Sequence, residues 1–275
     1  MPGGTASVIR LAWDALLDLV YPPHCVACGR MGAWLCAPCL ATYPAFRPPL
    51  CPRCGRPRVR EGLCPRCRAD LRAGGGVEAS LSGVRSVGLH VSPLREAVQA
   101  LKYEGVRVLA EPLADVLGEV WKRAPLPVTA VVPVPLHPRR VRLRGYNQAV
   151  LLARAFAPRV GLALHEDWVA RSRDTRSQVG LSRDERWANV SGAFRCSGDV
   201  AGHAVLLLDD VLTTGATLRA CADALRMAGA VGVWALTLTR ARMTLVHGVG
   251  TSIATTGDPA TVPAQPVAGS TKEDV

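Results

Sequence analysis

One fourteen-residue stretch limits the possible folds of this chain more than any other: Val205-Leu206-Leu207-Leu208-Asp209-Asp210-Val211-Leu212-Thr213-Thr214-Gly215-Ala216-Thr217-Leu218. Four consecutive apolar residues read as a strand buried on both faces, the signature of a parallel sheet. Two adjacent carboxylates stand where that strand is expected to end. A short turn rich in hydroxyls and containing one glycine follows. After it, Leu218, Cys221, Ala222, Leu225 and Ala228 recur at helical spacing, with Gly229 placed to cap the helix. Such an order puts a site at the carboxyl end of a parallel sheet.

The residue types in that order suggest a ligand. Backbone amides of the turn and of the first helical turn can surround a phosphate, helped by the helix dipole. Gly215 lets the backbone approach closely, and the threonine hydroxyls add donors. Asp209 and Asp210 would repel that phosphate, but they suit the hydroxyls of a sugar attached to it, or a magnesium ion nearby. The turn has neither the P-loop lysine pattern nor the dinucleotide-binding glycine pattern. The stretch resembles the loop that binds phosphoribosyl pyrophosphate (PRPP) in type I phosphoribosyltransferases.

A second pattern lies near the N-terminus. Eight of the ten cysteines form four Cys-x-x-Cys pairs: Cys25 and Cys28, Cys36 and Cys39, Cys51 and Cys54, Cys64 and Cys67. Two such pairs make a closed tetrahedral zinc site, so eight thiolates suggest two structural zinc ions. Gly29 and Gly55 sit where a zinc knuckle needs a left-handed residue. The short loops within the first and second halves favour sequential pairing, although a cross-braced arrangement stays open, and disulfides or a redox dithiol are the competing uses. From Arg30 to Arg72 nine arginines face only Glu61 and Asp70, with Trp34, Tyr43 and Phe46 interleaved. That composition can bind a nucleic-acid backbone and stack its bases, or simply be a solvated face.

Over the whole chain, 33 Lys and Arg exceed 22 Asp and Glu, giving a net charge of +11, which favours polyanionic company. Residues 5–20 read as an amphipathic helix with Ile9, Ala12, Leu16 and Leu19 on one stripe. The run Leu11 to Val20 is interrupted by Asp14 and Asp18 and is too short to span a membrane. No small-residue cleavage site follows it, so neither export nor membrane insertion is expected and the expected location is cytoplasmic. Ala73-Gly74-Gly75-Gly76 reads as a linker. Strands are expected at Gly83 to Val91, Val128 to Val134 and Val231 to Leu238, with Trp234 against the preceding helix. Two helices are expected around Leu94 to Leu101 and Leu109 to Val120. Cys196 and Cys221 read as small hydrophobes, and 247–275 as a disordered tail.

Two further segments carry chemistry. The strand ending at Pro133-Val134-Pro135-Leu136-His137-Pro138 leads into a loop with Arg139, Arg140, Arg142 and Arg144, then Gly145-Tyr146-Asn147-Gln148 and a helix. Its arginines can meet a pyrophosphate bidentately, and His137 is a candidate proton donor. Residues 171–194, containing Thr175 and Gln178, are polar and aperiodic and read as a flap able to close over a phosphorylated substrate.

These pieces, with Leu101-Lys102-Tyr103, Thr175-x-x-Gln178 and Arg186-x-x-Asn189-Val190, occur in an order that resembles the ComF family over roughly residues 8–242. The resemblance implies an α/β fold: a mainly parallel sheet flanked by helices, of the type I phosphoribosyltransferase kind, over 77–242, behind a double zinc ribbon over 21–72. It implies Asp209 and Asp210 at the ribose hydroxyls and Val211, Leu212, Thr213, Thr214, Gly215, Ala216 and Thr217 at the 5′-phosphate. His137, Arg139, Arg140, Arg144, Thr175 and Gln178 fall to the pyrophosphate and flap. Zinc and magnesium are the expected metals, and PRPP the expected ligand. Single-stranded DNA and competence proteins are candidate partners, since the family is linked to the uptake or use of external DNA. The alternative function is a non-catalytic DNA-handling factor whose PRPP site is regulatory or residual.

Overall fold

The computed structural model describes residues 22–72, 80–173 and 192–241. The helix expected at 5–20, the Gly-rich linker, Thr175, Gln178 and the tail fall outside these.

Two short helices, α1 (Ala37–Thr42) and α2 (Pro65–Arg72), belong to the cysteine-rich module. Beyond it run β1 (Gly83–Leu89), α3 (Leu94–Tyr103), α4 (Ala110–Arg123), β2 (Ala130–Pro133), α5 (Pro138–Arg144), α6 (Gln148–Val160) and β3 (Ala163–Leu164). A small antiparallel pair, β4 (Val169–Arg171) and β5 (Phe194–Cys196), comes next, followed by β6 (Ala204–Leu212), α7 (Ala216–Met227) and β7 (Gly232–Arg240). The main sheet has the order β1-β7-β6-β2-β3, and every pairing in it is parallel. All its carboxyl ends therefore open on one edge.

Val205 to Leu208 are fully buried because both faces of β6 are covered. Leu206 and Leu208 join α3, α4 and α6 in one core; Val205 and Leu207 join Leu218, Cys221, Ala222 and Leu225 of α7 in the other. Each such leucine contributes roughly 1.5–3 kcal/mol by leaving water. The cysteine-rich module covers the open side of edge strand β1. Val84 N–H donates to the Arg53 carbonyl at 2.8 Å, Phe46 N–H donates to the Val87 carbonyl at 2.7 Å, and Ala45 bridges Gly88. Unpaired edge groups are thereby satisfied rather than left to recruit another chain. Gly55 has a positive φ of 69° and lies so close to β1 that a side chain would collide with the Val84 carbonyl.

Three expectations need correcting. Strand β6 continues through the acidic pair to Leu212, because Val211 and Leu212 keep pairing with Thr239 and Arg240 of β7. The basic run after His137 is helical: Pro138 starts α5, His137 Nδ1 accepts from Arg139 N–H at 3.3 Å, and Gly145 ends it at φ 83°. Trp234 faces away from α7. Alternation along β7 sends it with Leu236 and Leu238 into the opposite core, while Val233 and Ala235 meet α7.

Candidate functional site

The cysteines gather in two clusters, Cys25, Cys28, Cys36 and Cys39, and Cys51, Cys54, Cys64 and Cys67, so the pairing is sequential. Within each, all four sulfurs lie within 4.8 Å of one another. Sulfurs tetrahedrally bound to zinc at about 2.3 Å sit roughly 3.8 Å apart; Cys28 to Cys36 and Cys54 to Cys64 are each 3.7 Å. The clusters repeat one design. The Cys36 N–H donates to Cys25 Sγ at 3.5 Å, as the Cys64 N–H does to Cys51 Sγ at 3.4 Å. Gly29 and Gly55 donate back to the carbonyls of Cys25 and Cys51 at 2.8 and 2.9 Å. These are two four-cysteine zinc-binding sites, and closed thiolate sets of this kind serve structure.

The larger feature is a cleft of about 510 Å³ at the carboxyl edge of the sheet. It is lined by Asp209, Asp210, Val211, Leu212, Thr213, Gly215, Ala216 and Thr217 on one side, and by Val134, Pro135, Arg140, Arg144 and Gln148 on the other. Thr214, His137 and Arg139 do not line it. Thr214 instead accepts from Ala216 N–H through its hydroxyl at 3.4 Å, and His137 caps α5. Gly215, at φ 82°, turns the chain from the threonine turn into α7. Among the described residues no backbone carbonyl accepts from the amides of Thr213, Thr214 or Gly215. Amides left over at a helix N-terminus form an anion seat.

The cleft's electrostatics centre on the acidic doublet. Asp210 is 3% exposed and pairs with Lys102, Nζ to Oδ2 2.5 Å. Burial works to lower the Lys102 ammonium, but the Asp210 carboxylate outweighs it and holds the pKa above the ordinary lysine value. Asp209 is half-buried. Desolvation, then the charge of Asp210, pushes its carboxyl well above the usual range, while Lys102 pulls the other way. His90 enters the cleft from the end of β1, with Nδ1 2.8 Å from Thr239 Oγ1; burial, then nearby Lys102, lowers its pKa.

Lys102, His90, Gln148, Tyr103 and Arg171 line the cleft without having been given a role by sequence. Lys102 and Tyr103 stand in a recognised segment, but no spacing ties them to residues over a hundred positions away. Arg171 is 7% exposed and is the first residue of the expected flap. A buried arginine at the rim of an aperiodic basic segment was the signal available for it.

Residues 16–71 match the double zinc ribbon domain family, and residues 146–246 match the phosphoribosyl transferase domain family. The DNA utilization protein YhgH of Salmonella typhi is 33% identical over 230 residues, which cover 79% of this chain and 98% of that protein. Competence protein F of Haemophilus influenzae is 30% identical over 212 residues, covering 74% and 89%. The chain belongs to the ComF family. Among solved structures, the glutamine PRPP amidotransferase of B. subtilis overlaps 47% of this ComF-family chain and 26% of its own, at 19% identity and a TM-score of 0.34. An overlap that slight adds nothing to the topology above. Among the described residues, no helix of this ComF-family protein is long and apolar enough to cross a membrane.

Proposed function

We propose that the cleft binds PRPP and that the protein acts as a phosphoribosyltransferase in the handling or use of DNA. The observation that carries the reading is that one cleft joins the acidic doublet, the threonine turn at the start of α7, and the arginines of α5. In it the turn amides take the 5′-phosphate, the doublet meets the ribose hydroxyls, and Arg140 and Arg144 face the pyrophosphate. An acceptor nucleophile attacks C1 of the ribose as the bond from C1 to the pyrophosphate oxygen breaks. The pyrophosphate leaves with the electron pair, so positive character grows at C1 and negative charge on the leaving group. Fixed cations and dipoles stabilise that separation, and no covalent nucleophile is required. Asp209 makes no ion pair among the described residues and is the kind of hard oxygen donor that magnesium takes. When bound, that ion would offset charge on the pyrophosphate. The test is calorimetry of the zinc-loaded chain with PRPP and magnesium, followed by assay of pyrophosphate release. Absence of binding heat overturns the reading.

A second reading draws on the ribbon. Arg30, Arg47, Arg60, Arg68 and Arg72 are exposed there, together with Trp34. This suits a single-stranded DNA-handling factor, with competence proteins as partners, in which the cleft only senses PRPP. Salt-sensitive binding of single-stranded DNA that survives Asp209→Asn but not zinc removal would favour it over the enzyme.

A further inference from the structure

An acceptor whose attacking nitrogen or oxygen carries hydrogen must lose that proton as its bond to C1 forms, and a base must stand within reach to take it. The sheet order says from which side the acceptor comes. β6 and the threonine turn are central, with β2 and the arginines of α5 on one flank and β7 and β1 on the other. Pyrophosphate departing toward α5 leaves the opposite face of C1 open to attack, so the nucleophile enters from the flank of β7 and β1.

His90 stands on that flank. It continues edge strand β1, its N–H donating to the Arg240 carbonyl at 2.8 Å, and it is the one histidine among the residues lining the cleft. Its Nδ1 is 2.8 Å from Thr239 Oγ1, and that hydroxyl donates to the Asp210 backbone carbonyl at 3.5 Å. With its proton committed there, Thr239 accepts from Nδ1–H, which leaves the ring's lone pair on Nε2. Nε2 has no hydrogen bond among the described residues. The charged groups acting on the ring are Lys102, Arg95 and Glu96 of α3 and Asp210 of β6. Burial, then Lys102, outweigh Asp210 and favour the neutral imidazole, while Glu96 is held by Arg95 at 2.6 Å.

We propose that His90 is the general base of the transfer. Its Nε2 takes the proton of an N–H or O–H acceptor as the acceptor atom bonds to C1. The pyrophosphate leaves with the electron pair of the C1–O bond, and the imidazolium then returns its proton to solvent. Thr239 is a positioning residue that holds the tautomer. The class of acceptor follows: a neutral nucleophile that must shed a proton, rather than a preformed anion. This rests on the PRPP reading above and deepens it.

The experiment measures pyrophosphate release by the full zinc-loaded chain with magnesium and saturating PRPP across pH, alongside PRPP calorimetry and melting temperature. The probes are water, which must lose a proton to attack, and azide, an anion with none to lose. His90→Gln keeps an amide donor for Thr239. It is expected to bind PRPP as wild type does, yet to release pyrophosphate to water about a hundredfold more slowly. With azide, variant and wild type are expected to run at similar rates. Saturating PRPP holds Asp209 ionised through the ribose hydroxyls, so that carboxyl adds no limb to the pH profile. Wild-type release to water should therefore rise with pH through one limb, below the ordinary histidine value, and the limb should vanish in His90→Gln. Equal slowing with water and azide, or a limb that survives His90→Gln, overturns the proposal. Where azide does not react, the limb alone decides. Should His90→Gln not fold, Thr239→Val decides: slower release to water but not to azide supports the base, and unchanged release to water overturns it. Absence of PRPP heat from the wild type sinks the PRPP reading and this proposal with it, whereas heat without any release of pyrophosphate overturns the base alone.

Discussion

The guanidinium of Arg240, at the carboxyl end of β7, donates a hydrogen bond to the backbone carbonyl of Cys54 inside the second zinc cluster. Arg240 is 7% exposed, and its own carbonyl accepts from His90 N–H at 2.8 Å. It pairs in register with Leu212 of β6, and the next residue, Ala241, donates to the Leu212 carbonyl at 2.9 Å. One side chain thus joins a metal knuckle to the strand ends that carry both His90 and the threonine turn.

Loss of zinc from the second cluster should therefore loosen the cleft as well as the ribbon. Two zinc ions per chain are expected by metal analysis. Cys64→Ser should leave about one, lower the melting temperature by several degrees, and weaken PRPP binding about tenfold or more. Structural zinc in zinc-finger peptides is worth roughly 10–16 kcal/mol near neutral pH, so even a fraction transmitted through Arg240 and β1 is measurable. Unchanged melting and affinity after zinc loss would show that the ribbon merely rests on the sheet.

The threonine turn depends on Gly215. At φ 82° a residue with a side chain is strained whatever room surrounds it, and the nearest atom to an added Cβ is Leu212 Cδ1 at 3.5 Å. Gly215→Ala is expected to cost about 1 kcal/mol, and Gly215→Val more, since branching adds to the left-handed penalty. Urea denaturation reads the cost. Because the same residue opens the anion seat, PRPP affinity should fall by more than stability does.

How much of this was legible beforehand follows from the range of each signal. Local patterns carried far: Val205 to Leu208 announced a doubly covered strand, and the Cys-x-x-Cys spacing announced both metal clusters. The sequence misplaced the end of β6, because a doublet of aspartates reads as punctuation. Here Asp209 and Asp210 continue the strand, each carboxylate accepting from the following amide. It also read Arg139 to Arg144 as loop, although His137, Pro138 and Gly145 are the start and stop signals of a short helix. What no local pattern could reveal was the partner of Asp210. Lys102 stands on another helix, and only the parallel sheet brings the two together.

Tyr146 holds that helix in place. Its hydroxyl donates to the Leu101 carbonyl at 2.5 Å, and its ring, 8% exposed, lies under the Arg107 guanidinium at 4.5 Å. The last carbonyls of a helix lack partners within it, and Leu101 belongs to the last turn of α3. Tyr146→Phe would leave that acceptor buried and unmatched, a cost of about 1–3 kcal/mol. The expected result is a lower urea midpoint with unchanged slope. PRPP affinity should fall modestly, because Lys102 is the next residue. A full-strength midpoint in Tyr146→Phe would mean that water replaces the hydroxyl.

The raised pKa of Asp209 makes a last prediction, whose sign can be worked out. Burial and the neighbouring Asp210 carboxylate disfavour its charged form, so between the ordinary carboxylate pKa and the folded one the native state holds a proton that the unfolded chain has released. The stability that Asp209 permits is complete below the ordinary carboxylate range and is lost as pH rises through the folded pKa. Asp209→Asn removes that loss, so the variant should melt above wild type near neutral pH, by a few degrees at about 2–4 °C per kcal/mol, and the gap should close in acid. Ligand acts in the opposite direction. Ribose hydroxyls donate to the ionised carboxylate and favour it, so PRPP binding should release protons and tighten as pH rises through the same window. Calorimetry in two buffers of different ionisation heat counts those protons. Uptake of protons on binding, or a wild type that melts above Asp209→Asn at neutral pH, would mean that Asp209 is already charged and satisfied in the free protein.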